Sequence, residues 1–195
     1  MEIISEFLIR QFITRQIIDP DKKEIYKTGL KLILADIINF SLVLIIGALT
    51  KSFIYSCIYL IMLISIRRFS SGFHARSYWL CRLVTVGTYV IVWLISTKVN
   101  CYLILCTITC DLVAIITMFL FAPIRHPNKQ LTENEVKANK FFSIVTTLFF
   151  AVASVVLTAI SRKEGIVIAL ILLAISVLMY IGLYTNGKEV RQNVQ

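Results

Sequence analysis

Six apolar runs divide this chain, and the segments between them are short and basic. The runs extend from Leu32 to Thr50, Ser52 to Ile66, Leu83 to Thr97, Cys101 to Phe121, Phe141 to Ile160 and Gly165 to Tyr184. Crossing a bilayer takes about 20 residues of helix. The second and third runs hold only 15 uncharged residues each. They reach across if helix continues into the charged flanks and the long side chains snorkel to the interface; a re-entrant pair is the alternative. Hydrocarbon offers the backbone no water, so such spans are helices. A soluble fold is a poor alternative. Hydrophobic residues are 58% of the 195 and charged residues 16%, against about 45–50% and about 25% in ordinary globular chains. A soluble domain this small has too little interior to hide that surface. The expected fold is an all-α polytopic membrane protein, a single membrane domain over residues 1–195 with about six transmembrane helices.

The basic residues set an orientation. Six Lys and Arg lie in the N-terminal region through Lys31, four in the segment after the second run, four after the fourth and two in the C-terminal tail. That places sixteen on one side and four (Lys51, Lys98, Arg162 and Lys163) on the other. Positive charge stays on the cytoplasmic side, so both termini and the 67–82 loop are expected there, in a multi-pass protein of the cell membrane. Residues 1–28 read as a cytoplasmic amphipathic region. Ile4, Phe7, Leu8, Phe12 and Ile18 recur at helical spacing, with Glu6, Arg10 and Arg15 between them, which suits a helix lying on the membrane surface. A cytosolic helix packed on the loops is the other reading. Glu2 and Glu6 argue against a cleavable signal segment.

The net charge of +9 does not make a nucleic-acid binder, because no uninterrupted basic face exists outside the loops. The five cysteines are Cys57, Cys81, Cys101, Cys106 and Cys110. All but Cys81 lie in apolar runs, where a thiol behaves as a small hydrophobe. An odd count argues against a disulfide framework. The spacing of Cys101, Cys106 and Cys110 matches no zinc pattern. Neither metal nor cofactor is expected.

The loop after the second run is the informative segment: Arg67-Arg68-Phe69-Ser70-Ser71-Gly72-Phe73-His74-Ala75-Arg76-Ser77-Tyr78-Trp79-Leu80-Cys81-Arg82. It holds one of two histidines and the one cysteine beside a cluster of cations. Nucleophilic thiols work as thiolates, which positive charge or a helix N-terminus favours. A nearby imidazole can take the proton and return it to a leaving amine. His74 and Cys81 are therefore the candidate catalytic pair, although a His and a Cys seven residues apart also occur by chance. Phe69, Phe73, Tyr78 and Trp79 would hold the loop at headgroup level. An unbroken helix through both residues would hold them about 10 Å apart along its axis, too far for proton transfer. The helix carrying Cys81 is thus expected to begin near Ser77, whose hydroxyl can cap it. His74 would lie in a separate segment that pivots at Gly72.

The string Arg67-Arg68-Phe69-Ser70-Ser71-Gly72-Phe73-His74-Ala75, with Cys81 the sixth residue after it, resembles the signature of the accessory gene regulator protein B family, membrane cysteine endopeptidases of Gram-positive quorum sensing. Phe121-Ala122-Pro123-Ile124-Arg125-His126-Pro127-Asn128-Lys129 is similar to that family's loop after the fourth span. The resemblance implies His74 as general base and Cys81 as nucleophile. It matches Arg67 and Gly72 to other important loop positions. Ser71 departs from the pattern, standing where many relatives have Gly or His. The implied substrate is a small propeptide with an amphipathic leader, a central Cys or Ser and an acidic C-terminal tail. The implied outcome is cleavage of that tail and closure of a thiolactone or lactone. The oligomeric state, a homodimer included, stays open.

Asp36 and Asp111 interrupt apolar runs. Charge inside a membrane is costly, so both are expected to face the bundle interior or water. Asp36 lies at a depth suited to orient His74 or guide a peptide. A hydrogen bond to a neighbouring helix is the plainer role, and Asn39 carries the same two readings. The two acids also support a competing function, a non-enzymatic permease or scaffold for a small peptide.

Overall fold

The computed structural model describes residues 2–14, 23–70, 78–99, 103–123, 132–160 and 163–192. Every regular element among them is helical: α1 (Glu2–Thr14), α2 (Lys23–Leu49), α3 (Phe53–Ser70), α4 (Tyr78–Lys98), α5 (Leu103–Phe121), α6 (Glu133–Ala159) and α7 (Lys163–Gln192). The chain is an all-α polytopic membrane protein. Helices α2 to α7 carry the six apolar runs. Five of them, all but α3, are long and apolar enough to cross a bilayer. Helix α3 has 18 residues and ends its last turn with Arg67 and Arg68. At 1.5 Å per residue it is about 27 Å long, just short of a hydrocarbon core of about 30 Å.

The lipid requirement is written on the outside of the bundle. Ile33, Ile61, Leu83, Leu112, Phe149 and Val152 are each more than half exposed, a surface that water would not tolerate over such an area. Inside, α7 is the axis. Ile166 through Leu172 are buried without a break, which a helix achieves only when neighbours cover every side. That cover comes from α3, α4, α5 and α6. Helix α1 packs on α2, burying Ser5 and Ile9, one turn apart, and leaving Phe7 exposed.

Small and polar side chains let the helices approach. On α6, Ser143, Thr147, Ala151, Ser154 and Thr158 form one buried stripe; on α5 its counterpart is Thr107, Asp111, Ala114 and Met118. Thr107 and Thr158 hydroxyls meet at 3.2 Å, and Ser154 donates to Asp111 Oδ2. Such bonds tie membrane helices together where apolar contact gives no preference over lipid. Near the end that bears the 71–77 connection, Phe69 stacks on Phe142 with ring centres 5.2 Å apart, and Phe121 meets Tyr180 edge-on at 5.8 Å. Lys140 sits 5.3 Å from the centre of the Phe119 ring.

Two helix ends show why the boundaries fall where they do. Helix α6 starts eight residues before the apolar run, because Thr132 and Glu135 make a capping box. The Glu135 carboxylate accepts from Thr132 N at 2.8 Å, and Thr132 Oγ1 accepts from Glu135 N at 3.4 Å. Reciprocal bonds of this kind satisfy N–H groups that a helix start leaves open. Helix α2 stops with Ser52 N donating to Gly47 O at 2.8 Å and Lys51 N to Ala48 O at 3.2 Å. Lys51 takes φ 56°, the left-handed turn that closes a helix in this way.

The α2–α3 hairpin depends on Gly47. It belongs to the inward stripe Ala35, Asn39, Val43 and Gly47. A Cβ built on Gly47 would lie 2.6 Å from Ser56 Cβ and 3.1 Å from Tyr89 Oη. Gly29, on the same helix, has nothing within 4 Å of that point. Gly47→Ala should therefore destabilise the protein by about 1–3 kcal/mol, whereas Gly29→Ala should be neutral or mildly stabilising. Thermal unfolding of the detergent-solubilised protein checks this, and equal shifts for the two variants would contradict the packing described.

Candidate functional site

On α4 the buried residues Thr85, Tyr89, Val92 and Ser96 continue a stripe whose first member is the half-buried Cys81. The thiol therefore faces α2 and α3 and not lipid. It is the fourth residue of α4, so it lies among the first-turn N–H groups that have no partner within the helix. The described helix begins at Tyr78, beside the expected start at Ser77. Ser77, Gly72 and His74 themselves lie outside the described residues.

The nearest polar group to the thiol is an amide from α2. Asn39 Nδ2 donates to Cys81 Sγ across 4.0 Å. Its oxygen accepts from Arg82 Nε at 3.3 Å. Arg82 in turn lies over the Trp79 ring, 5.1 Å from its centre. Asn39 is 1% exposed, as an amide in hydrocarbon must be bonded to be tolerated. One turn earlier, Asp36 is on the exposed side of α2.

Helix α3 closes the other side. Tyr59, fully buried, donates its hydroxyl to the backbone oxygen of Thr85 at 2.8 Å, and its ring lies 5.5 Å from that of Tyr89. Arg67, in the last turn of α3, and Cys81 are both close enough to act electrostatically on the Tyr59 hydroxyl. Tyr89 continues the polar line to Ser52 Oγ at 3.0 Å and from there to Thr50 Oγ1 at 2.6 Å. Asn39, Tyr59 and Cys81 thus bring α2, α3 and α4 together toward the end of α3 that bears Arg67 and Arg68, and the Tyr89 line leads from there to the α2–α3 turn at the other end.

The other cysteines sit differently. Cys106 and Cys110 pack against the apolar core on α5, and Cys57 is half-buried on α3. Asp111 is 4% exposed between α5 and α6, and among the described residues its Oδ1 has no hydrogen-bond partner. Among the described residues no group of three His, Cys, Asp or Glu side chains comes together.

The sequence marks Asn39 as a polar group in an apolar run but does not connect it to Cys81, and nothing in it singles out Tyr59. The available signal was an amide at every-fourth-residue spacing with Ala35, Val43 and Gly47, of which Ala35 and Gly47 are small residues that mark a close helix contact. In the sequence Arg82, next to Cys81, registers only as charge.

A model of the accessory gene regulator B family matches residues 2–183. No curated protein and no solved structure matches the chain.

The different settings of the thiols generate a prediction. A small polar maleimide should modify Cys81, at the polar end of α4, faster than Cys57, Cys106 or Cys110. Peptide mass spectrometry after brief labelling reads the order. Modification of Cys106 or Cys110 ahead of Cys81 would contradict the placement of the site.

Proposed function

Because the chain belongs to the accessory gene regulator B family, we propose that it is a membrane cysteine endopeptidase that removes the C-terminal tail of a small quorum-sensing propeptide and cyclises the remainder. The family processes autoinducing peptides in quorum sensing. The observation that carries the finer reading is the setting of Cys81: a half-buried thiol in the first turn of a helix, with an amide donor on its sulfur and an arginine behind that amide.

The reaction runs in two steps. Cys81 Sγ attacks the carbonyl carbon of the peptide bond before the tail. His74 accepts the thiol proton and returns it to the departing amine, so an S–C bond replaces the C–N bond and an acyl-enzyme thioester remains. A cysteine of the substrate then attacks that thioester, displaces Cys81 as a thiol and closes a thiolactone; a serine would close a lactone. The second step exchanges one thioester for another and is nearly balanced. The first is uphill, so removal of products drives the sequence. Hydrolysis competes at the intermediate, so the site has to keep water from the thioester.

Orientation follows from the charge split. Both termini and the 71–77 connection face the cytoplasm in this reading, where basic loops receive the acidic tail. Arg67, Arg68 and Arg82 lie at that end. A permease built around the two intramembrane acids has less support: Asp36 is exposed on α2, and Asp111 is buried between α5 and α6.

Cys81→Ala and His74→Ala should each abolish tail removal while the protein still accumulates in the membrane. Cys57→Ala, Cys106→Ala and Cys110→Ala should retain it. Co-expression with a short propeptide that has an acidic C-terminal tail, read by its shift in size, makes the test. Retained cleavage in Cys81→Ala would sink the proposal.

A further inference from the structure

We propose that Asn39 is the positioning residue of the site, holding the Cys81 sulfur through an amide N–H whose direction Arg82 fixes. This rests on the reading of Cys81 as the nucleophile. The chemistry of the three side chains assigns the bonds. A guanidinium only donates, so the amide atom facing Arg82 Nε must be the oxygen. The amide plane then leaves its NH₂ group no choice but to point toward Cys81 Sγ. The Nδ2–Sγ separation is 4.0 Å and the Nε–Oδ1 separation 3.3 Å. The first is long, as resting catalytic hydrogen bonds often are, and the same bond strengthens when the acceptor carries charge.

Each link in the line is itself restrained. Trp79 covers Arg82 from one side. Asn39 is 1% exposed and sits in the stripe by which α2 packs. Its backbone belongs to the middle of a 27-residue helix, so the amide is carried on a rigid element, unlike a donor on a connecting loop. Trp79, Arg82, Asn39 and Cys81 thus form one line across α4 and α2, with the thiol at its end. An amide that only joined two helices would need bonds of any direction. The one present aims its donor at the sulfur.

The test uses the full chain in lipid vesicles, with Cys57, Cys101, Cys106 and Cys110 replaced by Ala so that iodoacetamide reports on Cys81 alone. The alkylation rate is followed from about pH 6 to about pH 10, across the range where thiols ionise. In Asn39→Leu the profile should move to higher pH, with the rate at neutral pH falling about tenfold, the effect of losing one hydrogen bond to a charged group. If Asn39→Leu does not accumulate, Asn39→Ala is read by the same measure. An unchanged profile in a folded variant overturns the role of Asn39. Propeptide cleavage by Cys81→Ala is scored in parallel. Loss of cleavage there beside an unchanged profile in Asn39→Leu removes only the positioning role. Retained cleavage removes the nucleophile reading and this inference with it.

Discussion

A polar group carried into hydrocarbon has no water to bond to, so it must find its partner within the protein. The backbone meets that demand by forming helix throughout the spans. The polar side chains meet it across helix contacts, and those contacts organise the bundle. Ser154 bonds Asp111 and Thr107 bonds Thr158 between α5 and α6. Tyr59 bonds the Thr85 backbone between α3 and α4, Tyr89 bonds Ser52 of the α2–α3 turn, and Asn39 bonds Cys81 and Arg82 between α2 and α4. The site is therefore not an addition to the fold. The same bonds that keep α2, α3 and α4 in register hold the thiol in place.

The spans were legible because a long apolar run admits few structures in a membrane. Their limits were less so. Helix α6 begins at Glu133, not Phe141, and the Thr132–Glu135 pair that starts it is a readable capping signal masked by its distance from the apolar run. Helix α3 carries Arg67 and Arg68 inside its last turn, since arginine stems can lie along an apolar surface while their heads reach water.

Which way each helix faces was not legible, and the reason is physical. In a soluble helix the polar side marks the outside. Here lipid and core are both apolar, so Ile33 outside and Val43 inside α2 look alike in sequence. This is why Asp36 and Asn39 carried the same two readings, although one is exposed and the other buried beside Cys81. The sharper clue was size: Ala35, Asn39, Val43 and Gly47 are the residues that permit close approach, and Gly47 does so against Ser56. Cys81 stood out among its neighbours for its cations, whereas its amide partner lies forty-two residues away in the chain and only packing brings it near.

The central claim is that Cys81 carries the substrate as a thioester. It is tested most directly with a propeptide whose cyclising residue is replaced by Ala, so that the second step is blocked. Intact-mass and peptide analysis of the membrane protein should then find the N-terminal portion of the propeptide attached to Cys81, released by neutral hydroxylamine. Tail removal with no adduct on Cys81, or with the adduct on another cysteine, would contradict the account.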